Sequence, residues 1–322
     1  MMATNSSTNL LTSPKQEPKM PRKLPFFFSL LLIPFFLAAS APRFENIFEA
    51  AAKGTPDDIR PFLEQGTDIN AKATWGMTPL HHAARENPRV DVLKYLVAQG
   101  ADIHAKSGSG NTPLHFAARE NPSVEAVKFL VEQAADIHAK NDLGATPLFL
   151  SASENPNAEI LKFLLEQTAD VNTKTNAGET PLLSAVKKNP NAEILKILIV
   201  HGADIHASDS LGQTPLHHAA RYRADAEALK ILLESGADAD GKSDFLRTPL
   251  HFAAQHNANV EVLKILLEQN PDVNAQDIWD MTPLHLAARY NANAEVMKIL
   301  IENGADANIK DHDDKTPMDY VK

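Results

Sequence analysis

One word recurs along this chain at a fixed spacing, and that spacing limits the fold more than any other feature. Thr-Pro-Leu (Thr-Pro-Met at the last site) begins at Thr78, Thr112, Thr146, Thr180, Thr214, Thr248, Thr282 and Thr316, and every interval is 34 residues. Seven intervals without insertion or deletion exclude a set of independent domains. They predict a solenoid, in which each unit buries its faces only against its neighbours.

The residue types within one unit predict its local structure. Thr112 suits a helix N-cap, its hydroxyl accepting from an orphan backbone N–H, and Pro113 suits the first helical position, where no N–H is needed. The alanine-rich PLHFAARE that follows predicts a short helix able to approach its neighbours closely. Asn121-Pro122 breaks that helix. A second helix is expected over Ser123–Gln133, with Val124, Val127, Phe129, Leu130 and Val131 on its apolar faces. Ala135-Asp136-Ile137-His138-Ala139 and the Asp/Asn/Gly-rich stretch beyond it read as an extended turn or hairpin.

With these words in place, the chain resembles the ankyrin repeat family over about residues 42–322. GNTPLHFAAR and QGADIHAK match the family words G-x-T-P-L-H-x-A-A and G-A-D-[VI]-N-A residue by residue. Tetratricopeptide repeats share the period but lack both words. The resemblance implies a mainly all-α solenoid of helix-turn-helix-hairpin units, with an N-terminal cap at 42–74, repeats at 75–312 and a terminal half-repeat at 313–322. It also implies that protein partners bind a concave face built from hairpin tips and first helices.

Several positions depart from the family pattern. The usual period is about 33, and here a residue is added between the helices, where Glu-Asn-Pro stands at 86–88, 120–122 and 154–156. The histidine of the first word is kept at His81, His115, His217, His251 and His285 but is Phe149 and Leu183 in two units. The tip glycine becomes Leu246, Asp280 and Asp314, so altered turns are expected there. The glycine closing the second helix becomes Ala134, Thr168 and Asn270, where a left-handed cap costs more.

The first forty residues are a different kind of chain. A basic pair, Arg22-Lys23, precedes an uncharged stretch of 18 residues, Leu24–Ala41, that ends in Ala38, Ala39, Ser40 and Ala41. That order is the pattern of a secretory signal, with Met20 as the expected start and the repeats exported to a periplasm or medium. Retained, the same segment would be a membrane anchor, although Pro25 and Pro34 weaken it as a continuous helix. Residues 1–41 carry Lys15, Lys19, Arg22 and Lys23 against Glu17, a net +3, so a chain of formal charge −10 becomes −13 without them.

That acidity argues against nucleic acid as a partner. The absence of cysteine removes disulfides, thiol nucleophiles and cysteine-ligated metals. No Gly-x-Ser-x-Gly, Walker or dinucleotide-binding word occurs, so no enzyme and no cofactor are expected. The thirteen histidines include the pairs His81-His82 and His217-His218, but the first of each occupies the repeat's fixed position, where the family resemblance implies a structural hydrogen bond. His104, His138 and His206 alternate with Asn70, Asn172 and Asn274, which suggests a local polar role. Asp311-His312-Asp313-Asp314 reads as a solvated acidic turn without the spacing of a calcium loop. A metal-binding or hydrolytic accessory is the remote alternative.

Positions that vary between otherwise similar units are the better candidates. The tip residue reads Trp75, Ser109, Leu143, Ala177, Leu211, Phe245 and Trp279. The first helix ends in Arg85-Glu86, Arg119-Glu120, Ser153-Glu154, Lys187-Lys188, Arg221-Tyr222, Gln255-His256 and Arg289-Tyr290. Aromatics and arginine are the usual interface anchors. The binding candidates are therefore Trp75, Arg85, Arg119, Leu143, Leu211, Arg221, Tyr222, Phe245, Trp279, Arg289 and Tyr290. They would serve a protein partner of a monomeric, exported recognition module, or of a membrane-anchored scaffold. In the competing reading, tips pack on the next tips and arginines pair with Glu86 or Glu120.

Overall fold

Each Thr-Pro word opens a helix. The structure, a computed structural model, describes residues 43–189, 191–222, 226–256, 259–291 and 293–321; the signal-like Leu24–Ala41 lies outside them. The helices are α1 (Ile47–Lys53), α2 (Pro56–Glu64), α3 (Pro79–Glu86), α4 (Val90–Ala98), α5 (Pro113–Glu120), α6 (Val124–Glu132), α7 (Pro147–Glu154) and α8 (Ala158–Glu166). They continue as α9 (Pro181–Lys188), α10 (Ala192–Val200), α11 (Pro215–Tyr222), α12 (Glu227–Glu234), α13 (Pro249–His256), α14 (Val260–Leu267), α15 (Pro283–Tyr290) and α16 (Ala294–Glu302). Pro317–Tyr320 is a single 3-10 turn.

Odd-numbered helices pack in sequence against one another, even-numbered helices form a second row, and each pair is closed by its own inter-helix turn. The leucine of each word lies between the rows: Leu80, Leu114, Leu148, Leu216, Leu250 and Leu284 have no exposed surface. Ala83-Ala84, Ala117-Ala118, Ala219-Ala220 and Ala253-Ala254 are buried beside them, where small side chains let the helices approach. One apolar cluster runs from Ile47 to Ala305. A small second cluster, Ala145, Phe149 and Leu150, lies beside it in the third unit.

Helix capping takes two forms. In units three and four, the Thr146 and Thr180 hydroxyls accept from the N–H groups of Phe149 (3.2 Å) and Leu183 (3.3 Å), as an ordinary N-cap does. Where histidine is present it completes a reciprocal capping box with the threonine. His115 Nδ1 accepts from the Thr112 N–H at 3.1 Å and lies 2.9 Å from its hydroxyl, while Nε2 donates to the Ala145 carbonyl of the next unit at 3.1 Å. His81, His217, His251 and His285 repeat this bridge to Asn111, Arg247, Met281 and Lys315. Burial holds His81, His115 and His251 down to about 4. A proton on Nδ1 would face a donor.

The added residue of the Glu-Asn-Pro segment also has a structural task. Asn121 is fully buried, and its Nδ2 donates to the carbonyls of Ala84 (2.8 Å) and Asn87 (3.1 Å) in the preceding unit. Its Oδ1 accepts from the Ser123 N–H at 2.9 Å. Asn87, Asn155 and Asn189 make the same bridges. Buried carbonyls left by each broken helix end are thus satisfied one unit at a time.

The expected hairpins contain no strand among the described residues; each is a pair of turns. They stack through single backbone bonds from one tip to the next, such as Asn176 N–H to Leu143 (2.9 Å), Asp244 to Leu211 (3.1 Å) and Ile278 to Phe245 (3.2 Å). The turns expected to change do not change. Leu246, Asp280 and Asp314 keep left-handed φ values of 57°, 58° and 60°, beside 74° at Gly144. At Gly144 and Gly212 a Cβ would come within 2.5 Å of the side-chain oxygen of Asn176 or Asp244. After Leu246 and Asp280 that column holds Ile278 and His312, so the crowding oxygen is gone. Ala134, Thr168 and Asn270 keep the left-handed cap at 64°, 65° and 52°.

Candidate functional site

The tip column and the ends of the odd-numbered helices lie side by side, because both are fixed by the same stack. Trp75 (81% exposed) and Leu143 (71%) stand out from their tips. In the first units the arginines closing α3 and α5 are already engaged. Arg85 Nε lies 2.8 Å from Glu120 Oε2 and 3.5 Å from Glu86. Arg119 pairs with Glu120, lies 3.9 Å from Glu154 and rests on the Phe116 ring. The pairing reading holds here. An open groove of about 550 Å³ beside Trp75 and Arg85 is walled by Glu45, Glu49 and Glu86.

The later units are built differently. The Arg221 guanidinium lies 4.9 Å from the centroid of Tyr222, whose ring stacks on His218 at 5.9 Å and 8°. Phe245 and Trp279, tips of successive units, stack at 5.8 Å and 12°. Arg247 covers Trp279 at 5.2 Å, donating from Nε to Asp277 (2.9 Å) and from Nη1 to Gln255 (3.1 Å). Arg289 lies 5.1 Å from both the Tyr290 and the Tyr320 ring centroids. Among the described residues, Arg221 and Arg289 have no carboxylate within ion-pair distance. A cavity of about 220 Å³ opens between Arg247, Trp279, Arg289, Tyr290 and Tyr320.

Electrostatics follow the same division. His256, at the end of α13, is pushed down by burial and by the charges of Arg221 and Arg247. His218 donates from Nε2 to Asp209 at 2.9 Å, and burial, with Lys187 nearby, lowers it to about 4. This second histidine, with Leu211, Arg221 and Tyr222, lines a further cavity of about 360 Å³. The Asp311–Asp314 turn is only partly the solvated turn expected. Asp311 is buried; its Oδ1 takes the N–H groups of Asp313 and Lys315, and its Oδ2 takes the Tyr320 hydroxyl at 2.5 Å. That bond pushes the phenol up to about 12.

His104, His138 and His206 are exposed, whereas Asn70, Asn172 and Asn274 bridge to the next unit through Gly100, Gly202 and Gly304. Sequence reasoning passed over Arg247, Asp277 and Tyr320. Arg247 belongs to the variable column just before Thr-Pro, which reads Asn111, Ala145, Glu179, Gln213, Arg247, Met281 and Lys315. Comparing that column would have found it.

A family model described as ankyrin repeats (3 copies) matches residues 47–141, 123–209, 148–243, 185–277 and 250–321. The chain belongs to the ankyrin repeat family, and its repeats are a protein–protein interaction module. No curated protein matches it. Among the described residues no three His, Asp or Glu side chains gather to hold a metal ion. No described helix is long and apolar enough to cross a membrane.

Proposed function

We propose that this chain is an exported, non-enzymatic recognition protein whose partner binds the concave face over its C-terminal units. Leu211, Arg221, Tyr222, Phe245, Trp279, Arg289 and Tyr290 form the contact surface. The observation that carries this reading is the pair of arginines held on tyrosine faces with no described carboxylate beside them. A surface locked by stacked tips and inter-unit bonds loses little freedom on binding, so contact energy goes into affinity. Export rests on the order of Arg22-Lys23, Leu24–Ala41 and the small residues that end it.

The test is capture of partners from an extracytoplasmic extract by the full chain and by Trp279→Ala/Arg289→Glu. Loss of capture with unchanged helical signal and near-unchanged melting supports the face; loss of folding would show that these residues serve packing. Intact mass of soluble and membrane fractions decides the rest. A soluble species starting near Ala41 supports export, and a membrane species retaining Leu24–Ala41 supports the anchored scaffold.

A further inference from the structure

The arginines of this face differ in what they have left to give. Arg247 is spent on buried Asp277 and on Gln255, and so serves to hold Trp279. Arg221 and Arg289 lie over tyrosine rings, and neither has a described carboxylate within ion-pair distance, so each guanidinium keeps its planar fork of donors for a partner. A planar fork with no described carboxylate at ion-pair distance matches a carboxylate, which accepts two parallel N–H bonds. His256, at the end of α13, feels the charges of both Arg221 and Arg247.

Resting on the binding face just described, we propose that its partner presents an acidic peptide segment, with separate Asp or Glu carboxylates engaging Arg221 and Arg289. A continuous polyphosphate fits less well, because Asp311 and Asp313 also line the Arg289 cavity and the whole chain is at −10. Carboxylates spaced along a peptide can meet the two arginines and pass the aspartates. Apolar or aromatic residues between them would lie along Leu211, Phe245 and Trp279.

The experiment measures binding of three fluorescent probes to the full chain: an Asp/Glu-rich peptide containing tyrosine, its Asn/Gln counterpart and a single-stranded oligothymidine. The acidic peptide is expected to bind, with affinity falling as salt rises. Arg221→Glu and Arg289→Glu should each weaken it by roughly tenfold or more. Arg289→Lys, which keeps the charge and loses the fork, should weaken it less. Arg85→Glu/Arg119→Glu should leave it unchanged. Equal binding of the Asn/Gln peptide, if lost in Trp279→Ala, would overturn the acidic chemistry and keep the face. Acidic-peptide binding abolished only by Arg85→Glu/Arg119→Glu would overturn both. Tighter binding of the oligonucleotide, or no binding of the acidic peptide, would overturn the proposal. Melting curves of each variant exclude loss of fold, and Arg221→Glu, outside the 220 Å³ cavity, is an independent check.

Discussion

In the units that begin at Thr78 and Thr112, the arginine closing the first helix lies against glutamates; in those that begin at Thr214 and Thr282, the equivalent arginine lies on a tyrosine. The change lies in one column: Glu86, Glu120 and Glu154, which face the early arginines from their own and the next unit, give way to Tyr222, His256 and Tyr290. A glutamate at that position neutralises the arginine, while a tyrosine orients it and leaves its charge available. The tips change in parallel, from exposed Trp75 and Leu143 to the stacked Phe245–Trp279 pair. Beneath both faces lie the same leucines, the same histidine bridges and the same short helices. Recognition and stability therefore reside in different columns of one repeat.

Acid should produce the largest effect, and should not distinguish the halves. His81, His115 and His251 are held near 4 when folded and return to about 6.5 when unfolded. Between those values the unfolded chain binds more protons, so stability is full above about pH 6.5 and is lost as pH falls towards 4. Melting followed from pH 7 to 4 should show a fall of several kcal/mol in sum, with exchange rising in the histidine-bearing units before those of Phe149 and Leu183. A flat melting temperature over that range would separate the histidines from the scaffold.

Next in size is the asparagine ladder. Asn121→Ala leaves the Ala84 and Asn87 carbonyls buried without that partner and should cost about 2–4 kcal/mol by denaturant titration. Asn155→Ala should cost the same; partner binding at the distant face should persist in both wherever the chain is folded. Smaller again is the face itself. Tyr222→Glu, which copies the early units, should pair with Arg221, reduce partner affinity by roughly tenfold and move the melting temperature little. The reverse change, Glu120→Tyr, should release Arg85 and Arg119 from their shared glutamate without creating affinity, because the stacked tips are absent there; titration of both variants sharpens the comparison. The smallest effect is a gain. Thr168→Gly at φ 65° should stabilise by about 1 kcal/mol, since a β-branched residue is strained there.

Much of this was legible in the sequence. Thr-Pro marks the start of the first helix in each unit from Thr78 to Thr282, and the expected helix over 113–120 is α5. The second helix is one residue shorter at each end than the expected Ser123–Gln133, because Ser123 and Gln133 are its caps. The family histidine bridges neighbours as the resemblance implied. Other features were hidden by distance along the chain. Asn121 reads locally as a helix breaker, and its acceptors stand 37 and 34 residues earlier, so only the stack reveals its role. The effect of Ile278 on the turn at Leu246 was hidden for the same reason. Arg85 and Arg289 share a column and differ in surroundings, which one-column reading cannot separate.

The most direct measurement is hydrogen exchange of the full chain with and without its captured partner. Protection should appear at the tips and first helices of the later units, around 209–222, 243–256, 277–290 and 311–320, with no change around 75–86 and 109–120. Protection confined to those early segments, or spread evenly over both, would contradict the assignment of recognition to the tyrosine-backed arginines.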